Sequence, residues 1–431
     1  MRHLLRCPIM DVYACEDAAV AALGPLTLAR PACDLCIGGG SLVEMLGHFG
    51  RVHRVLRPHL RDYLTALGGN RTPHWGGSRE PPAEPLIRSR HGETVLVVNA
   101  RLIPGRYQLL ALRSLVEAGQ RGMVPAGDSI AAAILHRDAA GSGPDAKLLD
   151  QLAGGSLSLS AFAAEAGLPR LDTLLTLLET PADLLNAHEN SLEAMLAVAL
   201  DSGRYVEQRP GLYLEQVASK DLAPRVDELV AVRGGPVLID AAAEVGPFCC
   251  LEGPLRIGRR TKVHPRTWLG PGTVAGHDCR LGGEVSASVM EPFSNKAHAG
   301  FLGHSHLGSW VNLAAGTVTG NLKYSYGMVR LRDPDGGTTD SGRQFFGCLV
   351  GDFSKTGIQT AISCGALIGP AVTIEGRAEG TIAPFTTQVA GLSAGSRASV
   401  DQVATALNRM MARRGIAFHA ADRSLLAAIV P

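Results

Sequence analysis

From Ile239 onward an aliphatic side chain returns every sixth residue: Val245, Leu251, Ile257, Val263, Leu269, Ala275 and Leu281. Small residues recur four places later, at Ala243, Cys249, Thr261, Thr267, Thr273 and Cys279. The pattern resumes at Phe301, Leu307 and Leu313, and again at Val350, Thr356, Ile362, Ile368 and Ile374. Neither a helix (period 3.6) nor an ordinary strand (period 2) repeats this way. Strands this short bury an apolar face only by stacking, so the period predicts a parallel β-helix with an aliphatic interior column. Small residues are expected to let the chain turn at the corners. Two segments, 287–300 and 324–348, break the pattern and read as loops thrown out from one face, the second with a turn at Asp335-Gly336-Gly337.

Three domains are expected. In residues 1–230, strand-like runs ("PIMDVYA", "ETVLVVNA") alternate with helical ones ("SLVEMLGHFGRVH", "YQLLALRSLVEAG"), which predicts an α/β layer with a helical connector. "GGNRTPHWGGSREPPAEP" within it reads as a surface loop. Residues 231–384 carry the repeat. Residues 385–431 hold a linker and a helix, opened by Ser399 and Gln402 in capping-box spacing and stopped at Gly415.

The 41 basic and 40 acidic side chains nearly cancel, and no basic run suggests a nucleic-acid partner. No apolar run is long enough to span a bilayer. "MRHLLRCPIMDVYACED" has acids where a secretion leader would continue its apolar core, so a cytoplasmic protein is expected. Nine cysteines, an odd count, do not read as a disulfide scaffold. "CDLC" (Cys33, Cys36) lacks a second pair to complete a metal site and reads as reduced thiols. "GLSAG" (Gly391–Gly395) matches a nucleophile elbow but lacks the buried strand such a turn needs.

"SNKAHAGFLGHSHLG" places His298, His304 and His306 within nine positions. These are a metal site, a catalytic base, or surface residues. Metal ligation is disfavoured, because no acid lies between 292 and 332 and the six-residue register divides the histidines among different hexapeptides. A histidine base fits a transfer to an amine, since imidazole titrates near neutral pH. Asn295, Lys296, Asn312, Asn321 and Lys323 supply polar groups around it, and "NLAAGT" offers backbone amides that a ligand can approach.

"SNKAHAGFLG", "WVNLAAGT…GNLK" and "VGDFSKTGIQT" resemble the acyltransferase half of GlmU-type bifunctional proteins, and "GPLTLARPACDLCIGGGSLVEML" resembles their sugar-nucleotidyltransferase half, in a variant branch. The resemblance implies a left-handed β-helix, a homotrimer, and acetyl transfer from acetyl-CoA to the amine of an amino-sugar phosphate such as glucosamine 1-phosphate. It assigns His298 as base, with Lys296, Asn312, Asn321, Lys323 and Phe301 toward the acceptor. Ala315, Gly316 and Lys355 fall toward acetyl-CoA, and amides near Ala314–Gly316 toward the oxyanion. Phe301 stands in place of a tyrosine. Basic residues that grip the acceptor's phosphate are replaced by Gly270 and Ser288, so Arg266, Arg280 or Lys296 is expected to supply that charge.

In the N-terminal half the same resemblance leaves Arg30 as the nucleotide-binding residue. Acids in "ACEDAAVAALG" occupy the phosphate loop, Ala32 and Gly40 replace lysines, and Arg101 stands where a metal-binding Asp is expected. Mg²⁺ is implied only if this domain is active. Two further readings are a sugar-1-phosphate nucleotidyltransferase and a non-catalytic nucleotide-binding relative.

Overall fold

The computed structural model describes residues 10–68, 94–137, 142, 145–155, 157–333, 336–389 and 395–431. Cys7, most of the 68–85 loop, Asp335 and most of "GLSAG" lie outside them. The N-terminal part is a five-stranded sheet with strand order β2-β1-β3-β5-β4. Its strands are β1 (Met10–Cys15), β2 (Gly50–Val55), β3 (Thr94–Asn99), β4 (Gly122–Ala126) and β5 (Ser129–His136). β2, β1 and β3 run parallel, β5 runs antiparallel to β3, and β4 antiparallel to β5. β3 is buried along its whole length, as expected of a central strand covered on both faces. Helices α1 (Leu42–Leu46), α2 (Pro58–Leu67), α3 (Arg106–Ala118), α4 (Ala146–Ala153), α5 (Leu159–Glu165) and α6 (Pro181–Asp201) surround it.

A left-handed β-helix of about nine turns follows. Its first face aligns Val245, Val263 and Leu281, each 18 residues from the last. The aliphatic positions from Ile239 to Leu281 all lie in one buried column. The small residues prove to be inward-facing, each just after the corner. The turn itself is made one residue earlier, often by a bulky residue with positive φ: Phe248 before Cys249, Arg260 before Thr261, Arg266 before Thr267 and Asp278 before Cys279. A non-glycine residue is strained there, and the ladders on either side hold it in place.

Residues 287–300 form no loop. They stay in the solenoid, and the coil that leads into them is three residues short, pairing Ala275 with Met290 and Leu281 with Lys296 instead of residues 293 and 299. The interior register slips with it, so Leu302, not Phe301, is the buried residue. The excursion expected at 324–348 is present between Asn321 and Cys348, and contains the antiparallel pair Arg330–Arg332 and Thr338–Asp340.

The tail is two helices where one was expected. α7 (Val400–Ala412) begins with the capping box of Ser399 and Gln402, and α8 (Ala420–Ile429) with one of His419 and Asp422. Together they bury a corner column of the solenoid, Phe293, Trp310, Phe353 and Phe385. Phe293 and Trp310 stack at 4.3 Å between ring centroids. α8 also meets α2, where the Tyr63 hydroxyl donates to Asp422 at 2.8 Å.

Candidate functional site

His298 stands exposed at the corner between the first and second faces. The corner exists because glycines make way for it. A Cβ on Gly282 would lie 2.1 Å from the Ala297 carbonyl oxygen, and one on Gly300 would lie 2.1 Å from that of Thr317. Lys296 is turned into the solenoid, 2 % exposed. Its ammonium donates to the carbonyls of Gly282 (2.8 Å) and His298 (2.7 Å), and burial lowers its pKa to about 8. Lys296 therefore cannot meet a phosphate outside the coil. It fixes the backbone that carries His298.

One coil on, the Gly316 amide donates to the Ala299 carbonyl at 2.9 Å and ties the "AAGT" corner to the His298 corner. Of the three amides considered for an oxyanion, that of Gly316 is thus taken, and that of Ala314 donates to Thr356 Oγ1 at 3.0 Å. The exposed Ala315 N–H has no protein acceptor among the described residues.

His264 shares this corner two coils earlier, though no motif in the sequence marks it. Burial and the charges of Arg280, His298 and Lys262 hold its pKa below the ordinary histidine value. The ladder Val263–Leu281–Lys296 is the signal: His264 follows it by one residue and His298 by two, which brings both rings to this corner. A cleft of about 580 Å³, lined in part by His264, Lys262 and Arg225, opens beside it.

Asn312 and Lys355 lie on the adjoining first face, in one outward ladder with Arg280 and Asn295. Asn312 Oδ1 accepts from Asn295 Nδ2 at 3.2 Å, and burial lowers the Lys355 pKa to about 8. Phe301 faces outward on the second face between Glu284 and Val318. Its ring lies over Gly303, as that of Trp268 lies over Gly270. An arginine at position 270 would have to displace that indole. Ser288 is also unavailable: it is fully buried, donating to the Ser286 carbonyl at 2.7 Å.

Asn321 and Lys323 fall at the next edge, where the excursion leaves the coil. Asn321 Nδ2 meets His304 Nδ1 at 2.9 Å, His304 stacks on Phe345, and Lys323 donates to the Met328 carbonyl. His306, expected beside His304 at the groove or surface, is fully buried under the α/β domain with Nε2 2.9 Å from Glu291 Oε1. One chain therefore gathers His298, Ala315 and Gly316 at one corner and Asn321 and Lys323 at another. Among the described residues no cluster of His, Cys, Asp or Glu could hold a metal ion.

Arg30 is a clear correction to the sequence reading. Its guanidinium is 0 % exposed and lies between the domains, 2.8 Å from Glu291 Oε2, donating to Ser309 Oγ at 2.6 Å and to Asp352. No phosphate can reach it. The two acids of the altered phosphate loop are likewise occupied. Glu16 pairs with Arg57 at 2.9 Å, and Asp17 accepts from Arg101 Nε and Nη2, both at 2.8 Å. The α/β domain retains a cleft of about 810 Å³ lined by Arg106, Gln108, Asp183, Asn190 and Ser191 among others.

A family model for sugar nucleotidyl transferases matches residues 12–199. The bifunctional protein GlmU of Paracoccus denitrificans is 37% identical over 87 residues, 20% of this chain and 19% of that protein. A bifunctional sugar-1-phosphate nucleotidylyltransferase/acetyltransferase of Sulfurisphaera tokodaii is 32% identical over 146 residues, 33% of this chain and 36% of that one. The chain thus spans between about a fifth and a third of the length of these relatives. Among solved structures, the N-acyltransferase AntD of Bacillus cereus aligns over 45% of this chain and 89% of its own at 14% identity, with a TM-score of 0.21, too loose a likeness to bear on function.

Proposed function

We propose, for a chain of the GlmU-type family, an N-acetyltransferase that moves acetyl from acetyl-CoA to the amine of an amino-sugar phosphate. The observation that carries the reading is the corner itself. It presents an exposed imidazole with no protein partner among the described residues, and an exposed, unpaired Ala315 amide one coil away. A base and an oxyanion donor are what aminolysis of a thioester requires. The amine nitrogen attacks the thioester carbonyl while His298 takes its proton. The carbonyl oxygen, negative in the tetrahedral intermediate, is met by Ala315 N–H. The C–S bond then breaks, the amide is formed, and coenzyme A leaves as the thiol with the proton that His298 returns.

Asn321 and Lys323 sit too far around the coil to serve the same His298. They join the site if an edge of one chain faces the corner of another, as in the homotrimer that the family resemblance implies. The test of the base is His298→Ala in the full chain, with thiol release measured from acetyl-CoA and glucosamine 1-phosphate. Turnover is expected to fall by about 10²–10⁴, and wild-type turnover in the variant would remove the mechanism.

The large cleft of the α/β domain supports a second reading, sugar-1-phosphate nucleotidyl transfer. Among the described residues its phosphate loop has no free arginine, because Arg30, Arg57 and Arg101 are all bound to carboxylates. Pyrophosphate release from UTP and a sugar 1-phosphate with Mg²⁺ decides it, and silence removes it.

A further inference from the structure

With positions 270 and 288 filled by a glycine under an indole and a buried serine, a phosphorylated substrate needs its counter-charge elsewhere. The first face holds it. Arg280 and Asn295 are direct neighbours across the ladder, and Arg414, just beyond α7, reaches over to donate to Asn295 Oδ1 at 2.5 Å. Burial first, then the charges of Arg280 and Arg413, lower the Arg414 pKa, while Cys279 and Asp278 act against them.

Neither arginine is in an ion pair among the described residues. Arg280 spends only Nη1, on backbone carbonyls such as that of Cys279 at 2.8 Å, leaving Nε and Nη2 open. Arg414 spends only Nη2. The carboxylates at hand are already taken: Asp278 by Arg260 (2.6 Å) and His277 (2.8 Å), Glu244 by Lys262 (3.1 Å) and Arg225. Two neighbouring, half-open guanidiniums with no directly paired acid among the described residues, Asp278 lying near Arg414 but bonded to Arg260 and His277, suit a dianion, since an arginine fork matches phosphate oxygens in pairs. Arg280 also lies near enough to His264 to depress its pKa, as does His298. The strip therefore runs up to the proposed base. In the other direction the ladder continues through Asn312 to Lys355, three strand spacings or about 14 Å from Arg280.

We propose that Arg280 and Arg414, braced by Asn295, form a clamp for a phosphate monoester beside the His298 corner. The inference rests on the acyl-transfer reading only for what the phosphate belongs to: the acceptor sugar or the ribose of coenzyme A. Calorimetric titration of the full chain with paired probes separates these, using glucosamine 1-phosphate against glucosamine, and coenzyme A against dephospho-coenzyme A.

Arg280→Gln and Arg414→Gln should each weaken one phosphorylated probe by about tenfold or more, without changing its dephosphorylated partner. The single variants suffice if the double variant does not fold. Arg423→Gln, whose partner is the exposed Asp401, should change neither. A shift in the sugar arm assigns the clamp to the acceptor, and a shift in the coenzyme arm to the donor. Unchanged affinities in both arms, or no binding of either phosphorylated probe by the wild type, overturn the clamp. Should the wild type release no thiol while one arm still shifts, the clamp stands and the acyl-transfer reading falls.

Discussion

Two sets of arginines in this molecule have opposite fates. In the α/β domain Arg30, Arg57 and Arg101, which occupy or border the place of a phosphate loop, are each locked to a carboxylate. At the first face of the β-helix, Arg280 and the tail's Arg414 have none among the described residues. The side-chain type is the same and only the neighbours differ. An arginine whose charge is satisfied inside the protein holds domains together, while one left unpaired at a surface has charge to offer a ligand. The contrast is the reason the proposed clamp is sought in the second half of the chain and not around Arg30.

The sharpest way to break that contrast is Arg30→Met. Arg30 faces two buried acids, Glu291 and Asp352, and its loss leaves Asp352 without its cation and Glu291 with His306 alone beside its carboxylate. Removing one partner of such a buried set costs about 3–5 kcal/mol, to be read by denaturant unfolding, with nucleotide affinity unchanged. A variant of normal stability that loses nucleotide would return Arg30 to the role the sequence suggested.

A second test uses the same interface. His188 of α6 accepts from the Gly38 amide through Nδ1 (3.1 Å) and donates to the Gly272 carbonyl through Nε2 (2.9 Å), so it is bound as neutral imidazole. Burial, chiefly, lowers its pKa to about 4. The unfolded chain, with an ordinary histidine near 6.5, then binds the proton first, so stability is complete above about pH 6.5 and falls as pH drops toward about 4. His188→Gln can keep one bond of each kind without a titrating ring. It should remove about 3 kcal/mol of that acid-side loss, and an unchanged pH profile would show that the ring charges without cost.

How much of this was legible in the sequence follows from distance along the chain. The six-residue period predicted the solenoid because each strand's environment repeats locally, and the Ser399–Gln402 capping box marked the start of α7 for the same reason. The register slip between Leu281 and Met290 was hidden, since a coil three residues short looks like an interruption unless strand pairing is known. Arg30 looked like a phosphate ligand because its partner Asp352 lies 322 positions away, and a short motif carries no trace of that pairing. Arg414 was invisible as a site residue, being a helix-end cation in sequence and a neighbour of Asn295, 119 residues earlier, only in the fold. Within the site, His298 could be proposed from its motif, but the unpaired Ala315 amide needed the backbone.

Lys296 tests the contrast in the β-helix itself, where a charge is buried without an acid bonded to it. Burial lowers its pKa to about 8 against an ordinary lysine near 10.4. The penalty for housing the ammonium is therefore fully present below about pH 8. It lifts as pH rises toward about 10.4, because the folded chain gives up the proton first. Lys296→Met should lose that rise, and Lys355, also lowered to about 8, is retained in both proteins, so their difference isolates Lys296. Thiol release should fall with it, since the His298 carbonyl loses its donor, and a variant with wild-type turnover would free the corner from this support.

The smallest effect is expected where the tail closes over the α/β domain. The Tyr63 hydroxyl donates to Asp422, a residue that also caps α8 by accepting from the His419 amide at 2.7 Å. Tyr63→Phe keeps the ring packed among the aromatic column and the tail helices and removes only the hydroxyl. A single hydrogen bond to a buried acid predicts a loss of about 1.5–3 kcal/mol at most, and the remaining cap bond to Asp422 should hold the loss to the lower end. Because α7 carries Arg414 to the first face, the clamp gives this variant a second readout. Loosening α8 should weaken the phosphorylated probe by less than Arg414→Gln does, and leave the dephosphorylated one alone. If Tyr63→Phe weakens both probes equally, the tail acts on the whole face and not through Arg414.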